Sequence, residues 1–279
     1  MQKLDRLVWT AGLSFRAYGV RVGVRVNRAE ALDSVRDYLP PQWKPSTSPV
    51  VDRLYSLVIG GNDSRRPKVR RFNLVYGDAA RLARSLDIES VLRSLESDMQ
   101  YYVAEAAPRR VFVHAGVIGW RGRAVMIPGR SFSGKTTLVA ELVRAGAVYY
   151  SDEYAVLDSS GRVHPYARPL SIRQGEGVES ERRPVESLGG SRGAQPLSVG
   201  LVVVTEYRSG ASWRPRLLSA GQGALALLNN TVSIQRNPEA AFPVLKRVAS
   251  QARILKGARG EAKGVVDSIL RSLSECLSD

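Results

Sequence analysis

Residues 129–136 read Gly-Arg-Ser-Phe-Ser-Gly-Lys-Thr, set between the apolar run Ala124-Val125-Met126-Ile127 and the helix-forming stretch Leu138-Val139-Ala140-Glu141-Leu142-Val143. A glycine, four free positions and then Gly-Lys-Thr is the spacing of a phosphate-binding loop, which requires a strand in front of it and a helix behind it. Both flanks are present, so this segment constrains the fold more than any other. Gly129 and Gly134 let the backbone curl until its N–H groups face inward, and the positive end of the following helix completes an anion site. The expected nucleotide contacts run through Gly129, Arg130, Ser131, Phe132, Ser133, Gly134, Lys135, Thr136 and Thr137. Lys135 is placed to reach the β- and γ-phosphates, and the Thr136 hydroxyl to bind Mg²⁺.

The remainder of the 279-residue chain has room for about two domains. A hydrophobic share of 44% supports a packed core. No uninterrupted apolar stretch is long enough to span a membrane, and no membrane association is expected. The start, Met1-Gln2-Lys3-Leu4-Asp5-Arg6, lacks the apolar segment of a signal peptide. The single cysteine, Cys276, excludes an internal disulfide and a cysteine-built metal site, and a reducing cytoplasm is the simplest location. The net charge of +15 attracts anions of every kind. The arginines are nevertheless spread in short clusters such as Arg65-Arg66, Arg109-Arg110 and Arg182-Arg183, with no recognisable DNA- or RNA-binding module, so nucleic acid is not the expected partner.

Ahead of the loop, the alternation of Tyr18, Val20, Val22, Val24 and Val26 predicts one half-buried strand over Phe15 to Val26. Asn27 is placed to cap a helix from Arg28 to Tyr38, which Pro40-Pro41 stops. Strands are predicted over Leu54 to Ile59 and Val69 to Tyr76, and a helix over 78–105, where Leu82, Leu86, Val91, Leu92, Leu95, Met99 and Val103 fall near helical spacing. These make a small mixed α/β domain over residues 1–107. The second domain, 108–279, opens with a β-hairpin, Arg110 to Ile118 and Arg123 to Ile127, that feeds into the loop. Further strands are predicted at Val148-Tyr149-Tyr150, Tyr154 to Leu157, Leu197 to Thr205 and Arg253 to Lys256. Helices are expected over Gly221 to Asn229, Pro238 to Ala249 and from Gly260-Glu261-Ala262 onward. The polar, glycine-containing stretch 174–196 reads as a mobile loop, long enough to suggest a lid or substrate-binding segment.

Asp152 follows Lys135 by 17 positions, at the end of the strand after the loop helix. An acid this close suits phosphotransfer to a hydroxyl, which needs neutralised phosphates, in-line placement and a group to take the acceptor proton. Asp152 can take that proton, and Asp152 or Glu153 can bind Mg²⁺ directly or through water. His114, on the hairpin leading into the loop, is open to a structural or a catalytic role. His164 reads as structural. Arg168 and Arg173 lie downstream of the acid, where a cation would stabilise transferring charge; Lys256 and Arg259 are weaker candidates in a chain this rich in arginine.

Val113-His114-Ala115-Gly116, the hairpin, the loop Gly129–Thr136 and Ser151-Asp152-Glu153 together resemble the catalytic domain of HPr kinase/phosphorylase. That resemblance implies a phosphoenolpyruvate-carboxykinase-like P-loop kinase architecture, with Asp152 as catalytic base and Glu153 where the family carries a second aspartate. Ser171-Ile172-Arg173-Gln174 is similar to the family's Glu-Ile-Arg-Gly, which makes Arg173 a catalytic candidate but replaces the glutamate. Tyr150 to Tyr154, His164-Pro165-Tyr166 and Arg168 to Arg173 look closer to HPr-kinase-related proteins, among them kinases that phosphorylate a serine of a lasso-peptide precursor. The resemblance covers about residues 110–175 and implies ATP and Mg²⁺ as cofactors, a protein or peptide acceptor, and homo-oligomers, which are hexamers in that family.

The expected catalytic set is therefore Asp152, Lys135, His114 and Arg173, and the expected metal ligands are Thr136, Asp152 and Glu153. The leading expectation is an ATP-dependent kinase acting on a hydroxyl, with the 174–196 loop closing over the acceptor. A small-metabolite kinase and a nucleotide-binding switch without transfer stay open as alternatives.

Overall fold

The computed structural model describes residues 3–61, 71–130, 133–172 and 181–275. The chain is mixed α/β and divides into two compact units, Met1–Pro108 and Arg109–Asp279.

Unit 1 is built on strands β1 (Ala11–Ala17) and β2 (Val20–Val26), helix α1 (Ala31–Arg36), β3 (Lys44–Pro45), β4 (Arg53–Val58), β5 (Asn73–Gly77), β6 (Ala80–Ser85) and helix α2 (Ile88–Ala106). The sheet order is β3-β1-β2-β4-β5-β6, antiparallel except for the β2–β4 pair. Phe15, Val22, Val24, Tyr55, Leu57 and Val75 are buried, as are Val91, Leu95, Met99 and Val103 of α2. Each such side chain contributes about 1.5–3 kcal/mol on leaving water. Asp87 caps α2, its carboxylate accepting from the N–H groups of Glu89 and Ser90.

Three expectations change here. The strand predicted over Phe15 to Val26 is the β1–β2 hairpin. Tyr18 (φ +50°) and Gly19 (φ +92°) form a two-residue turn with both φ positive, and the buried face passes from the odd positions Phe15 and Ala17 to the even positions Val20 to Val26. Asn27 does not cap a helix; its side chain accepts from Ile59 N–H at 2.7 Å and donates to the Ile59 carbonyl at 3.2 Å, tying the ends of β2 and β4. The helix predicted over 78–105 begins only at Ile88, because residues 80–85 pair with β5 instead.

Unit 2 contains β7 (Val111–Trp120), β8 (Arg123–Pro128), α3 (Lys135–Arg144), β9 (Val148–Ser151), β10 (Tyr154–Leu157), β11 (Arg162–His164), β12 (Leu170–Ile172), β13 (Glu181–Arg183), β14 (Leu197–Tyr207), β15 (Arg216–Leu217), α4 (Ala220–Leu228), α5 (Pro238–Gln251), β16 (Arg253–Arg259) and α6 (Val266–Glu275). The main sheet runs β11-β10-β7-β8-β14-β16-β15, with β9 also on β7. Strand β11 pairs with the start of β14 as well as with β10, which closes that path of strand pairings on itself. Alternate residues of β8 face opposite ways. Val125 and Ile127 join Leu138, Val139 and Leu142 of α3 and Ile269 and Leu273 of α6 in one core. Ala124 and Met126 join Leu227 of α4 and Val244, Leu245 and Val248 of α5 in the other. Helices therefore cover both faces, and β8, β14 and β16 run parallel, so their C-terminal ends share one edge.

The stretch 174–196, expected as a mobile loop, is different where it is described. Residues 174–180 lie outside the described residues. Glu181–Arg183 pairs with β12, and a 3₁₀ turn at Val185–Leu188 buries Val185 against the core of α3. The short strand expected at Arg253 to Lys256 continues to Arg259, and the last helix is preceded by a 3₁₀ turn at Ala262–Val265. No helix among the described residues is long and apolar enough to cross a membrane.

Candidate active site

The glycine loop leaves the end of β8 and enters α3, as its flanks predict. Gly129 N–H donates to the His114 carbonyl at 3.1 Å, which fixes the loop's start on the hairpin. Gly134 stands at the helix N-cap with φ +79°, a left-handed conformation that costs other residues about 1–2 kcal/mol. A Cβ there would also lie 2.5 Å from the Arg259 guanidinium, and one at Gly129 would lie 2.7 Å from Ser133 Oγ. Arg130 is exposed, and its carbonyl accepts from Ser133 N–H at 3.3 Å. Ser133 Oγ is buried and has no hydrogen-bond partner among the described residues. Thr137 sits exposed in the first turn of α3, which holds no acidic side chain to offset the positive helix end. Ser131 and Phe132 lie outside the described residues.

Lys135 is only 9% exposed, and its Nζ donates to the Arg130 carbonyl at 2.6 Å. Burial pulls its pKa down; Glu153 first and then Asp152 pull it back up. The lysine thus lies over the loop between backbone and two carboxylates.

Those carboxylates come from a break in a strand edge. Both β9 and β10 pair with β7, and residues 152–153 interrupt them. Ser151 Oγ accepts from the N–H groups of Glu153 (3.1 Å) and Tyr154 (3.0 Å), holding the break tight. Asp152, 9% exposed, accepts from Thr136 Oγ1 at 3.1 Å on Oδ2 and from the Tyr149 hydroxyl at 2.8 Å on Oδ1. Burial raises its pKa; the Tyr149 and Thr136 hydroxyls, the Arg168 charge and the Ser171 N–H oppose that rise without cancelling it. Glu153 is half-buried, and its carbonyl accepts from Ala115 N–H at 3.1 Å.

Burial, and then the Lys135 charge, push the His114 pKa below its ordinary value. The His114 ring packs on Tyr154 with centroids 4.7 Å apart, and among the described residues its nitrogens have no hydrogen-bond partner. His164 pairs with Asp158 at 2.8 Å in the turn after β10. Arg168 is half-buried, and its charge acts on both Asp152 and Tyr149. Arg173 lies outside the described residues.

The structure therefore brings together Gly129, Ser133, Gly134, Lys135, Thr136, Asp152 and Glu153. Sequence reasoning missed Tyr149, whose hydroxyl reaches Asp152 past a register shift in the pairing of β9 with β7. It also set Arg259 aside. That residue is 2% exposed, with its guanidinium donating to the Gly134 carbonyl at 2.9 Å and to the Gly260 carbonyl at 3.0 Å. The available signal was its place at the end of a strand, which the topology sets beside the loop.

Among the described residues no cluster of three or more His, Cys, Asp or Glu side chains is placed to hold a metal ion. A hydroxyl beside a carboxylate is instead the oxygen-only, partial ligand set that Mg²⁺ accepts when phosphate and water complete its shell. No family model and no curated protein matches the chain.

Proposed function

We propose that unit 2 is an ATP-dependent kinase domain of phosphoenolpyruvate-carboxykinase-like P-loop architecture, acting on a hydroxyl, with serine on a small protein or peptide as the acceptor class. One observation carries this reading: the 3.1 Å hydrogen bond between Thr136 and Asp152 beside Lys135 and the glycine loop. Phosphoryl transfer is mostly positioning and charge stabilisation, and these groups supply an anion cradle, a cation, an oxygen ligand pair and a base.

The residues fit the ligands. The Ser133 hydroxyl, which has no hydrogen-bond partner among the described residues, and the left-handed Gly134 at the start of α3 suit a phosphate group against the backbone. Thr136 and Asp152, with Glu153 adjacent, would hold Mg²⁺. Bound there, the ion supplies neutralisation of phosphate charge. Lys135 would exchange the Arg130 carbonyl for phosphate oxygens. Asp152 offers roughly four lone-pair sites. The Tyr149 hydroxyl and the Ser171 N–H take two of them, and Mg²⁺ would take the one that the Thr136 hydroxyl holds here. The remaining site would accept the proton of the acceptor hydroxyl as its oxygen bonds to the γ-phosphorus and ADP departs with the bridging oxygen's electron pair. Burial raises the Asp152 pKa towards the working pH, which favours a general base.

The test is transfer from γ-labelled ATP to serine peptides and to small metabolites. Lys135→Ala should lose ATP binding. Asp152→Asn should bind ATP yet lose transfer by about 10²–10⁴-fold, without rescue by excess Mg²⁺. Wild-type rates in Asp152→Asn would refute the mechanism. Label in a metabolite alone would make the chain a metabolite kinase, and ATP binding with no labelled product would make it a switch.

A further inference from the structure

The sheet order gives the loop two unlike sides. Asp152 and Glu153 arrive from the β7 side, because β9 and β10 both pair with β7. Strands β14 and β16 lie on the other side of β8 and run parallel to it, so their C-terminal ends stand beside the loop. A triphosphate with its reacting end toward the acids has its opposite end directed across the ends of β14 and β16.

Tyr207 and Arg259, the last residues of those two strands, stand opposite each other in register. Arg208 N–H donates to the Arg259 carbonyl at 2.8 Å, which clamps the strand ends together. Arg259 is buried, yet Tyr207 is 46% exposed. The guanidinium carbon lies 5.7 Å from the Tyr207 ring centroid, while the same group donates to the Gly134 carbonyl at 2.9 Å. Its Nε is buried and has no partner among the described residues. The Tyr207 hydroxyl donates to Glu261 Oε1 at 2.8 Å, which restrains the ring. A continuous set of contacts thus runs from the phosphate loop through a buried cation to an exposed tyrosine ring held by its hydroxyl.

We infer that the paired ends of β14 and β16 are the base-binding end of the site, with the Tyr207 ring as the stacking surface for a purine. Arg259 is a positioning residue that links that surface to Gly134. This rests on the reading of the loop as a triphosphate site. An aromatic face is what a planar base requires, since stacking needs no particular hydrogen-bond pattern.

The experiment titrates the full chain, Tyr207→Ala and Tyr207→Phe with Mg²⁺-ATP and with inorganic tripolyphosphate, which has the phosphates and no base. Tyr207→Ala should weaken ATP by about 10- to 100-fold and leave tripolyphosphate unchanged. Tyr207→Phe keeps the ring and should bind ATP within about threefold of wild type. Equal losses for both ligands in Tyr207→Ala, no loss for either, or a Tyr207→Phe loss as large as that of Tyr207→Ala would overturn the inference. So would a wild-type chain that binds tripolyphosphate as tightly as ATP, although the triphosphate reading would survive. A wild-type chain that binds neither ligand overturns both.

Discussion

Thr136 Oγ1 donates to Asp152 Oδ2 at 3.1 Å, joining the first turn of α3 to the break between β9 and β10. The bond holds a carboxylate where burial disfavours its charge. A carboxyl whose folded pKa is raised binds more protons folded than unfolded between its ordinary value near 3.8 and the folded value, so stability falls as pH rises through that window. Asp152→Asn removes this cost. The neutral side chain can still meet both hydroxyls, because each can donate or accept. The variant without ligand should melt above wild type at pH 7–8. The gap should close as the pH falls and the wild-type carboxyl takes up its proton. Melting curves across a pH series check this, and a variant less stable than wild type at neutral pH would contradict it.

Asp158 behaves in the opposite sense. Burial alone would raise its pKa, but hydrogen bonds from Ser160, from His164 and from the Arg162 N–H outweigh it and bring the value to about 2. Its oxygens lie 2.8 Å from His164 Nε2 and 2.9 Å from the Ser160 N–H. A carboxylate with a lowered folded pKa adds stability above its ordinary value that is lost as pH falls toward the folded one. Asp158→Ala should therefore cost about 1–2 kcal/mol at pH 7, which is 1.36 kcal/mol for each pH unit of the lowering, reduced for solvent screening of a partly exposed group. The difference from wild type should shrink between pH 4 and pH 2. Denaturant titrations at pH 7 and at pH 3 measure it.

The loop, its flanking strand and helix, and the adjacent acids were legible because each is local: a glycine spacing, an apolar run, a helical period. Turns and pairings that depend on distant partners were not. The β1–β2 hairpin was hidden because the turn residue Tyr18 happens to share the even spacing of Val20, Val22, Val24 and Val26, although the buried positions before the turn, Phe15 and Ala17, are odd. Strand β6 was read as helix because Leu82 and Leu86 stand four apart, a spacing that β5 overrides by pairing. Val185 was hidden among polar residues and glycines, although packing against the core orders it. Arg259 could not be told from the many other arginines of a +15 chain until its burial beside Gly134 was known.

Gly116 on β7 faces α3 at close range. A Cβ there would lie 2.5 Å from Val139 Cγ2 and 3.9 Å from Lys135 Cβ. Valine on a helix has one strongly preferred rotamer, so Val139 cannot swing aside. Gly116→Ala should cost about 1–3 kcal/mol by overpacking. Because α3 carries Lys135 and Thr136, its displacement should also weaken tripolyphosphate binding. Thermal melts and titration of the same preparation test both effects. A variant with wild-type stability would show that helix and sheet do not press together at this position.

Arg259→Lys separates the guanidinium's geometry from its charge. The fork donates at once to the Gly134 carbonyl at 2.9 Å and the Gly260 carbonyl at 3.0 Å. An ammonium on a flexible stem keeps the charge but not that fixed pair of directions. Losing one hydrogen bond from a charged donor costs about 1.5–3 kcal/mol. The freed Gly134 carbonyl sits at the left-handed turn that aims the loop. Lysine should therefore lower stability by about that amount, and the misaimed loop should bind ATP and tripolyphosphate more weakly by the same factor. A parallel loss distinguishes loop damage from the ATP-selective loss expected of Tyr207→Ala. If Arg259→Lys bound tripolyphosphate like wild type, the link between Arg259 and loop geometry would fail, because charge alone would then be enough to hold Gly134 in place.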